Sequence, residues 1–284
     1  MEINMKTKYG FIKFDNVDEF RQWLNKKKVT RTIKLVQLHH TATRASVAGK
    51  YDAFDLQENM KTYHVASCGW QDIAQQFTIF PDGSIMTGRD INTSPAGIKG
   101  ANANGICIEC YGYFDRGYDV MSAKQQASVI AATKILLDRF NLTPSEKTIT
   151  YHCWWTAGGT YIGDYKQGKS CKTCPGTNFF GGNTLAAFKK NLLPKVNAYG
   201  STESASQTVK QTTVSKTSTT TSKLPYLIKV TADVLNIRAG AGTTYRINGT
   251  IKKGEVYTII QEKDGWGKLK SGAGWISLHY TKKI

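Results

Sequence analysis

The chain has 284 residues, which is long enough for two domains that each bury a core of their own. Hydrophobic residues make up 40% and charged residues 21%, as is ordinary for globular protein, and no apolar run approaches the roughly 18 residues of a membrane span. The net charge of +17 indicates an anionic polymer as partner, whether nucleic acid, a membrane surface or the teichoic acids of a bacterial wall.

The first 16 residues contain no apolar core and no small-residue cleavage site, so we expect no secretory signal. The protein would then be made in the cytoplasm and released by other means. Without a signal, the six cysteines indicate reduced thiols and metal ligands rather than a disulfide framework.

Helical and strand patterns alternate over the first two thirds of the chain. Asn16 and Glu19 form a capping-box pattern that predicts a helix over 17–27. The other predicted elements are a strand at 33–38, a helix around 54–64, a hairpin of strands 77–80 and 84–86, a strand at 106–108, a helix from 122 to about 140 and a strand at 148–151. This order predicts a mixed α/β sheet flanked by helices.

The segment 201–223 is almost wholly Ser, Thr, Gln and Lys, and it cannot bury enough apolar surface to offset its ordering entropy. We therefore predict a domain at 1–196, a flexible linker at 197–224 and a second domain at 225–284. Short strands at 234–237, 245–251, 256–261, 267–269 and 274–276, separated by Gly-rich turns, predict a small all-β barrel. We expect Trp266 and Trp275 in its core.

Two histidines follow predicted strand ends, where a sheet delivers side chains to a cleft: His39 after IKLVQL and His152 after TITY. With Cys174, they offer two imidazoles and one thiolate. These fill three of the four tetrahedral positions of zinc and leave one for water, as a catalytic site requires. Bound zinc would give a hydroxide-like nucleophile near neutral pH.

Five segments in this order resemble the type-2 N-acetylmuramoyl-L-alanine amidases, a family that includes animal peptidoglycan-recognition proteins. The segments are LHHTA at 38–42, WQDIA at 70–74 with the PDG turn at 81–83, NGICIE at 104–109, YH at 151–152 and KTCPG at 172–176. The resemblance implies zinc-dependent hydrolysis of the amide between N-acetylmuramic acid and the L-alanine of the stem peptide.

The resemblance also implies residue roles. His39, His152 and Cys174 match the zinc ligands, Glu109 matches a general base, and Lys172 matches a lysine that steadies the developing oxyanion. The chemistry agrees, because amide hydrolysis needs a proton acceptor and a positive charge near the oxyanion.

The sequence departs from the family at two places. Many members have tyrosine and histidine at the positions of Gln75 and Gln76, and the tyrosine is sometimes catalytic, which shifts the role of base onto Glu109. The gap from His152 to the third ligand is long and contains Asp164 and Cys171. We predict Cys174 as the third ligand. Pro175 favours an extended backbone at Cys174, and in an extended segment the side chain of Lys172, two residues earlier, points to the same side as that of Cys174.

Cysteine spacing allows a different metal site. Two Cys-x-x-Cys pairs, 107–110 and 171–174, could form a four-thiolate structural zinc site. The first pair lies in an apparent strand rather than in a Gly-containing turn, and neither pair explains the histidines. His40 would leave the opposite side of its strand from His39, so we interpret it as structural.

The last 60 residues resemble bacterial Src-homology-three domains, which attach wall hydrolases to their target, in LNIRAG at 235–240, GW at 265–266 and GWI at 274–276. We expect exposed aromatic residues beside lysines, such as Tyr245, Tyr257 and Tyr280, to mediate binding.

The leading hypothesis is a monomeric phage endolysin or bacterial autolysin that acts on peptidoglycan and anionic polymers of a Gram-positive wall, with Zn²⁺ as cofactor. The alternative is a peptidoglycan-recognition protein of the same fold without catalysis. The positive charge would also suit a nucleic-acid binder, but the sequence has no motif that reads a nucleic-acid groove. We expect neither nucleic acid nor membrane as partner.

Overall fold

A computed structural model describes residues 6–200, 224–242, 245–263 and 265–284. The chain divides into two compact units, Met1–Lys210 and Gln211–Ile284. The core of the predicted linker, 201–223, lies outside the described residues, so its flexibility stays a prediction. The last helix of the first unit, Leu193–Ala198, continues two residues past the predicted boundary at 196.

The first unit is a mixed α/β structure, as predicted. Its strands are β1 (Lys6–Lys8), β2 (Phe11–Phe14), β3 (Leu35–His40), β4 (Phe77–Ile79), β5 (Ile85–Thr87), β6 (Gly105–Cys110) and β7 (Ile149–Tyr151). They form one sheet in the order β1-β2-β5-β4-β6-β3-β7. The three pairings β4–β6, β6–β3 and β3–β7 are parallel, and the remaining pairings are antiparallel.

The helices of this unit are α1 (Val17–Lys26), α2 (Ala45–Ala48), α3 (Ala53–Ala66), α4 (Ala123–Arg139), α5 (Leu185–Ala187) and α6 (Leu193–Ala198), with a π-helical turn at Phe188–Leu192 between the last two. The predicted cap of α1 is present, since the Asn16 side chain accepts hydrogen bonds from the backbone N–H groups of Asp18 and Glu19. In a capping box, the Glu19 side chain would accept a hydrogen bond from the backbone N–H of Asn16. Here it accepts instead from the backbone N–H of Asp15 and from the side-chain amide of Asn16.

Strand β3 has two different faces, and this difference positions the site. Val36 and Leu38 are fully buried in the main core, which α4 covers. Alternate residues on a strand point to opposite faces, so Gln37 and His39 leave the other side of the sheet. His39 and His40 lie inside β3 rather than after it, because the strand has the predicted six residues but lies two positions later, at 35–40 instead of 33–38.

Among the described residues, no helix has both the length and the apolar character needed to cross a membrane.

The second unit is all-β, as predicted. Its strands are β8 (Tyr226–Val230), β9 (Val234–Arg238), β10 (Ile247–Lys252), β11 (Val256–Lys263), β12 (Trp266–Leu269), β13 (Trp275–Ser277) and β14 (Thr281–Lys283), joined antiparallel in the order β10-β9-β13-β12-β11-β8-β14. Its core consists of aliphatic residues on these strands, among them Ile228, Ile259 and Ile276. The prediction for Trp266 and Trp275 is wrong, because both side chains are partly exposed and neither belongs to this core.

Candidate active site

His39 and Glu109 are brought together by strand register. Strands β3 and β6 are parallel neighbours in which His39 is opposite Glu109, so both side chains leave the same face. His39 Nδ1 lies 3.9 Å from Glu109 Oε1, and the Glu109 side chain is 17% exposed. A glutamate in the apolar strand GICIEC therefore borders the histidine rather than facing bulk solvent.

His152 enters from the other side of β3. Strand β7 pairs with β3 in parallel, with Tyr151 opposite Leu38, and the chain then turns at His152. The rings of His39 and His152 meet edge to face with centroids 4.9 Å apart. The two predicted imidazole ligands are thus adjacent.

Cys174 returns to the same place across the long segment that follows His152. Its carbonyl accepts a hydrogen bond from the backbone N–H of Cys153 at 2.8 Å. The preceding residue, Thr173, donates its hydroxyl to Asp115 at 2.9 Å and accepts at its carbonyl from the side chain of Asn183 at 2.8 Å. These bonds tie the Cys174 segment to the turn that follows β7 and to the loops around Asp115 and Asn183, whatever the length of the intervening loop.

The geometry of the three side chains fits a tetrahedral metal. One donor atom from each of His39, His152 and Cys174 lies within 4.8 Å of the other two. Cys174 Sγ is 3.5 Å from His39 Nδ1. Zinc bonds of about 2.0 Å to nitrogen and about 2.3 Å to sulfur, at a tetrahedral angle, place the two ligands about 3.5 Å apart.

The protonation states of the three side chains also suit a bound metal cation. Burial lowers the pKa of His39 well below its usual value, and the neighbouring charges of His152 and Lys172 lower it further. Burial also lowers the pKa of His152 to about 4. Both rings are therefore neutral near pH 7 and have a free lone pair for a metal. Burial raises the pKa of the Cys174 thiol, and a bound cation would reverse this by stabilising the thiolate.

Glu109 can accept a proton. Burial raises the pKa of Glu109 to about 8, and the positive charge of Lys172 opposes the shift. Within the described part of the chain, Glu109 Oε2 has no hydrogen-bond partner. A carboxylate that is held beside the metal ligands with one free oxygen is placed to take a proton from water or substrate.

These groups line a groove with a volume of about 810 Å³. One wall comes from α3 and the residues after it, including Tyr63, His64 and Trp70. Tyr113 and Lys172 also line the groove. The sequence patterns did not reveal the α3 wall, because Tyr63 and His64 belong to no motif. Their rings meet that of Trp70, which follows the helix, only in the folded chain.

Gln75 also lines the groove, but its chemistry differs from that of a tyrosine. It is fully buried and donates its amide to the Thr78 hydroxyl at 2.9 Å. Its neighbour Gln76 is structural, since its amide accepts from the backbone N–H of Cys107 and donates to the carbonyl of Thr93. Because a carboxamide is not a proton acceptor at neutral pH, Glu109 is the carboxylate in position for that role.

The other metal-site hypotheses fit the structure less well. Cys107 and Cys110 are three residues apart on β6, so their thiols leave opposite faces, and Cys110 lies in the main core. They cannot bind one metal together. Asp164 is engaged elsewhere, since its carboxylate accepts from the backbone N–H groups of Tyr165 and Leu185.

A second cluster of ligand atoms is formed by His39, Cys107 and Glu109. It shares His39 with the first cluster, and its Cys107 is 0% exposed beneath the groove. Cys171 belongs to neither cluster, and its thiol donates to the backbone carbonyl of His152 at 3.7 Å. His40 is also occupied, because its Nδ1 accepts from the backbone N–H of Phe114 at 3.1 Å.

Two families of known proteins match parts of the chain. Residues 29–177, just over half of the chain, match the family model described as N-acetylmuramoyl-L-alanine amidase, and residues 233–282 match the one described as bacterial SH3 domain.

Several known proteins are similar to the chain. Peptidoglycan-recognition protein LE of Drosophila melanogaster is 35% identical over 82 residues, which are 29% of this chain and 24% of that protein. Peptidoglycan-recognition protein SC2 of the same species is 25% identical over 160 residues, 56% of this chain and 77% of that protein. A solved structure of the endolysine N-acetylmuramoyl-L-alanine amidase LysCS from Clostridium intestinale is 23% identical with a TM-score of 0.37, covering 52% of this chain and 78% of that one.

Proposed function

The chain belongs to the N-acetylmuramoyl-L-alanine amidase family, and we propose that it is a zinc-dependent enzyme that hydrolyses the amide bond between N-acetylmuramic acid and L-alanine in peptidoglycan. One observation supports this proposal above the others. A largely buried His-His-Cys cluster lines one groove together with Glu109, a carboxylate whose Oε2 has no hydrogen-bond partner among the described residues.

His39, His152 and Cys174 would hold the zinc ion. When bound, zinc supplies Lewis acidity at the scissile carbonyl and lowers the pKa of water. Glu109 accepts the proton from the attacking water and returns it to the nitrogen of the leaving L-alanine. Lys172, on the groove wall, contributes positive charge where the carbonyl oxygen becomes negative. The groove walls hold the substrate strands over these groups.

A recognition protein without catalysis is the second candidate, because relatives of this chain are named for peptidoglycan recognition. Such a protein needs the groove but neither a metal-ligand cluster nor a proton acceptor. Partial or full burial of Glu109 and of the three candidate ligands costs stability, and a protein that only binds peptidoglycan gains nothing from it. The presence of all four groups favours the enzyme.

Product analysis is the direct test. Purified cell wall incubated with the zinc-loaded chain should release peptides that begin with L-alanine, as identified by mass spectrometry. The loaded protein should contain one zinc per chain, lose activity on chelation and regain it with added zinc. Wall binding without any new L-alanine amino terminus would establish the recognition protein instead.

We further propose that the C-terminal domain anchors the enzyme to a Gram-positive wall, and that the protein acts there as a monomer after release from the cytoplasm, in the manner of a phage endolysin or an autolysin. The family match to bacterial SH3 domains and the net charge of +17 support this role. Positive charge favours association with anionic wall polymers.

Separation of the two domains tests the anchor. A chain ending at Gly200 should hydrolyse soluble muropeptides at a rate close to that of the full chain, because every proposed site residue is retained. It should bind intact walls more weakly, since tethering raises the effective concentration of the catalytic domain at its substrate. A pull-down with purified walls measures this, and equal binding by both chains would exclude the anchoring role.

A further inference from the structure

Gln37 is a buried polar residue in contact with one of the proposed metal ligands. It lies two residues before His39 on β3, on the same face, and is 0% exposed. Its Oε1 is 3.3 Å from His39 Nε2. The other ring nitrogen of His39, Nδ1, faces Cys174 and Glu109. The metal side and the Gln37 side of the imidazole are therefore opposite.

Backbone groups determine which way the Gln37 amide points. The Asn102 side chain accepts at Oδ1 from the backbone N–H groups of Gly97, at 3.1 Å, and Ile98, at 2.8 Å. A backbone N–H only donates, so the side-chain oxygen of Asn102, and not its nitrogen, must face these two N–H groups. Gln37 Nε2 in turn donates to the carbonyl of Ala101 at 3.0 Å and to Asn102 Oδ1 at 3.5 Å.

This orientation leaves the oxygen of Gln37 against His39. A carboxamide oxygen accepts hydrogen bonds and does not donate them. A neutral imidazole carries one hydrogen, so the hydrogen is on Nε2 and the lone pair is on Nδ1, towards Cys174. We propose that Gln37 is a positioning residue that holds His39 in the form that presents Nδ1 to zinc. The inference rests on the proposed zinc function.

Two glycines provide the space that Gln37 occupies. A Cβ atom at Gly97 would lie 2.3 Å from Gln37 Oε1, and one at Gly105 would lie 2.4 Å from Gln37 Nε2. Neither distance is possible for real atoms. The amide is thus enclosed on both sides, and its rotation is restricted by backbone as well as by hydrogen bonds. Groups behind a ligating histidine generally fix its ring and its hydrogen in this way.

The hydrogen on His39 can be observed directly. Long-range ¹H–¹⁵N spectra of the full chain, with the His39 signals assigned by their loss in His39→Ala, report which ring nitrogen carries the hydrogen. In the metal-free wild type at neutral pH, we expect it on Nε2, and in Gln37→Met we expect a mixture of the two forms. A wild-type His39 with its hydrogen on Nδ1 would overturn the inference without the need for any variant.

Zinc affinity provides the second measurement, by competition with a chelator. Gln37→Met keeps the volume of the side chain but removes the acceptor, and the dissociation constant should rise by a factor of about 10–100. Gln57→Met is the matched control. Gln57 is equally buried, but its amide donates to the carbonyl of Thr87 and does not contact a ligand. Its zinc affinity should equal that of the wild type.

Wild-type affinity in Gln37→Met would overturn the positioning role. A wild-type chain that binds no zinc would instead overturn the proposed function, while the spectrum of the metal-free chain still decides whether Gln37 sets the form of His39.

Discussion

Replacing Cys174 by serine should reduce bound zinc from one per chain towards none and bring wall hydrolysis down to background. Its thiol is 3.5 Å from His39 Nδ1, and donor atoms of both histidines lie within 4.8 Å of it. A serine hydroxyl ionises far less readily than a thiol and is a weak zinc ligand, so two imidazoles would remain as the only strong donors. Metal analysis of the purified variant after dialysis measures the loss.

Two neighbouring variants serve as controls for this experiment. Cys171→Ser and Asp164→Asn change the other candidate third ligands, which point towards the His152 carbonyl and towards the start of α5. Both should keep close to one zinc per chain. Stoichiometric zinc and full activity in Cys174→Ser, or metal loss in either control, would contradict the assignment of Cys174.

Replacing Glu109 by glutamine should keep zinc bound but lower turnover by a factor on the order of 10²–10⁴, the usual contribution of a general base. Glutamine has almost the same shape and fills the same space beside His39, but it cannot take a proton. The loss should appear in kcat more than in KM, because the groove walls that bind substrate are unchanged. Steady-state kinetics on a soluble muropeptide measure both constants.

The pH profile sharpens the same test. A base must be ionised, so the activity of the wild type should rise with pH as the Glu109 carboxyl, whose pKa burial raises, loses its proton. This acidic limb should disappear in Glu109→Gln. Glu146→Gln is the control, since that carboxylate pairs with Lys189 away from the groove. Near wild-type turnover in Glu109→Gln would remove the carboxylate from the mechanism.

Local physical chemistry made much of the fold readable from the sequence. The side chain of Asn16 satisfies free N–H groups at the start of α1, and Ser122 does the same for α4. The run of apolar residues that ends at Leu38 was sufficient to predict a strand, although the strand lies two positions later than predicted. Strand and helix order predicted the mixed sheet, because parallel strands need helical crossovers.

Short edge strands could not be recognised in the same way. Strands β1 and β14 read KTK and TKK, and each contains only polar, mainly exposed residues. Lysine is typical of sheet edges and gives no hydrophobic alternation. These segments become strands because a neighbouring strand offers its backbone groups, β2 to β1 and β8 to β14. That partner is a property of the tertiary structure.

For the site too, the sequence indicated the residues and the tertiary structure brought them together. Residue types and motif order were sufficient to nominate His39, His152, Cys174, Glu109 and Lys172, because few combinations of side chains can hold zinc and move a proton. The proximity of these side chains in space depends on contacts between segments that are distant in the sequence. Cys174 reaches His39, 135 positions away, through bonds from Cys153 and Asn183.

Gln37 shows the limit of the sequence most clearly. A glutamine inside an apolar strand carries no motif, and its role depends on which way its amide points. That direction is set by the carbonyl of Ala101 and by Asn102, more than 60 residues along the chain. The sequence by itself determined many of the helices and strands and the chemical groups available to the site. The tertiary structure decided which groups share one buried space, because hydrogen bonds and packing between remote segments have no local pattern.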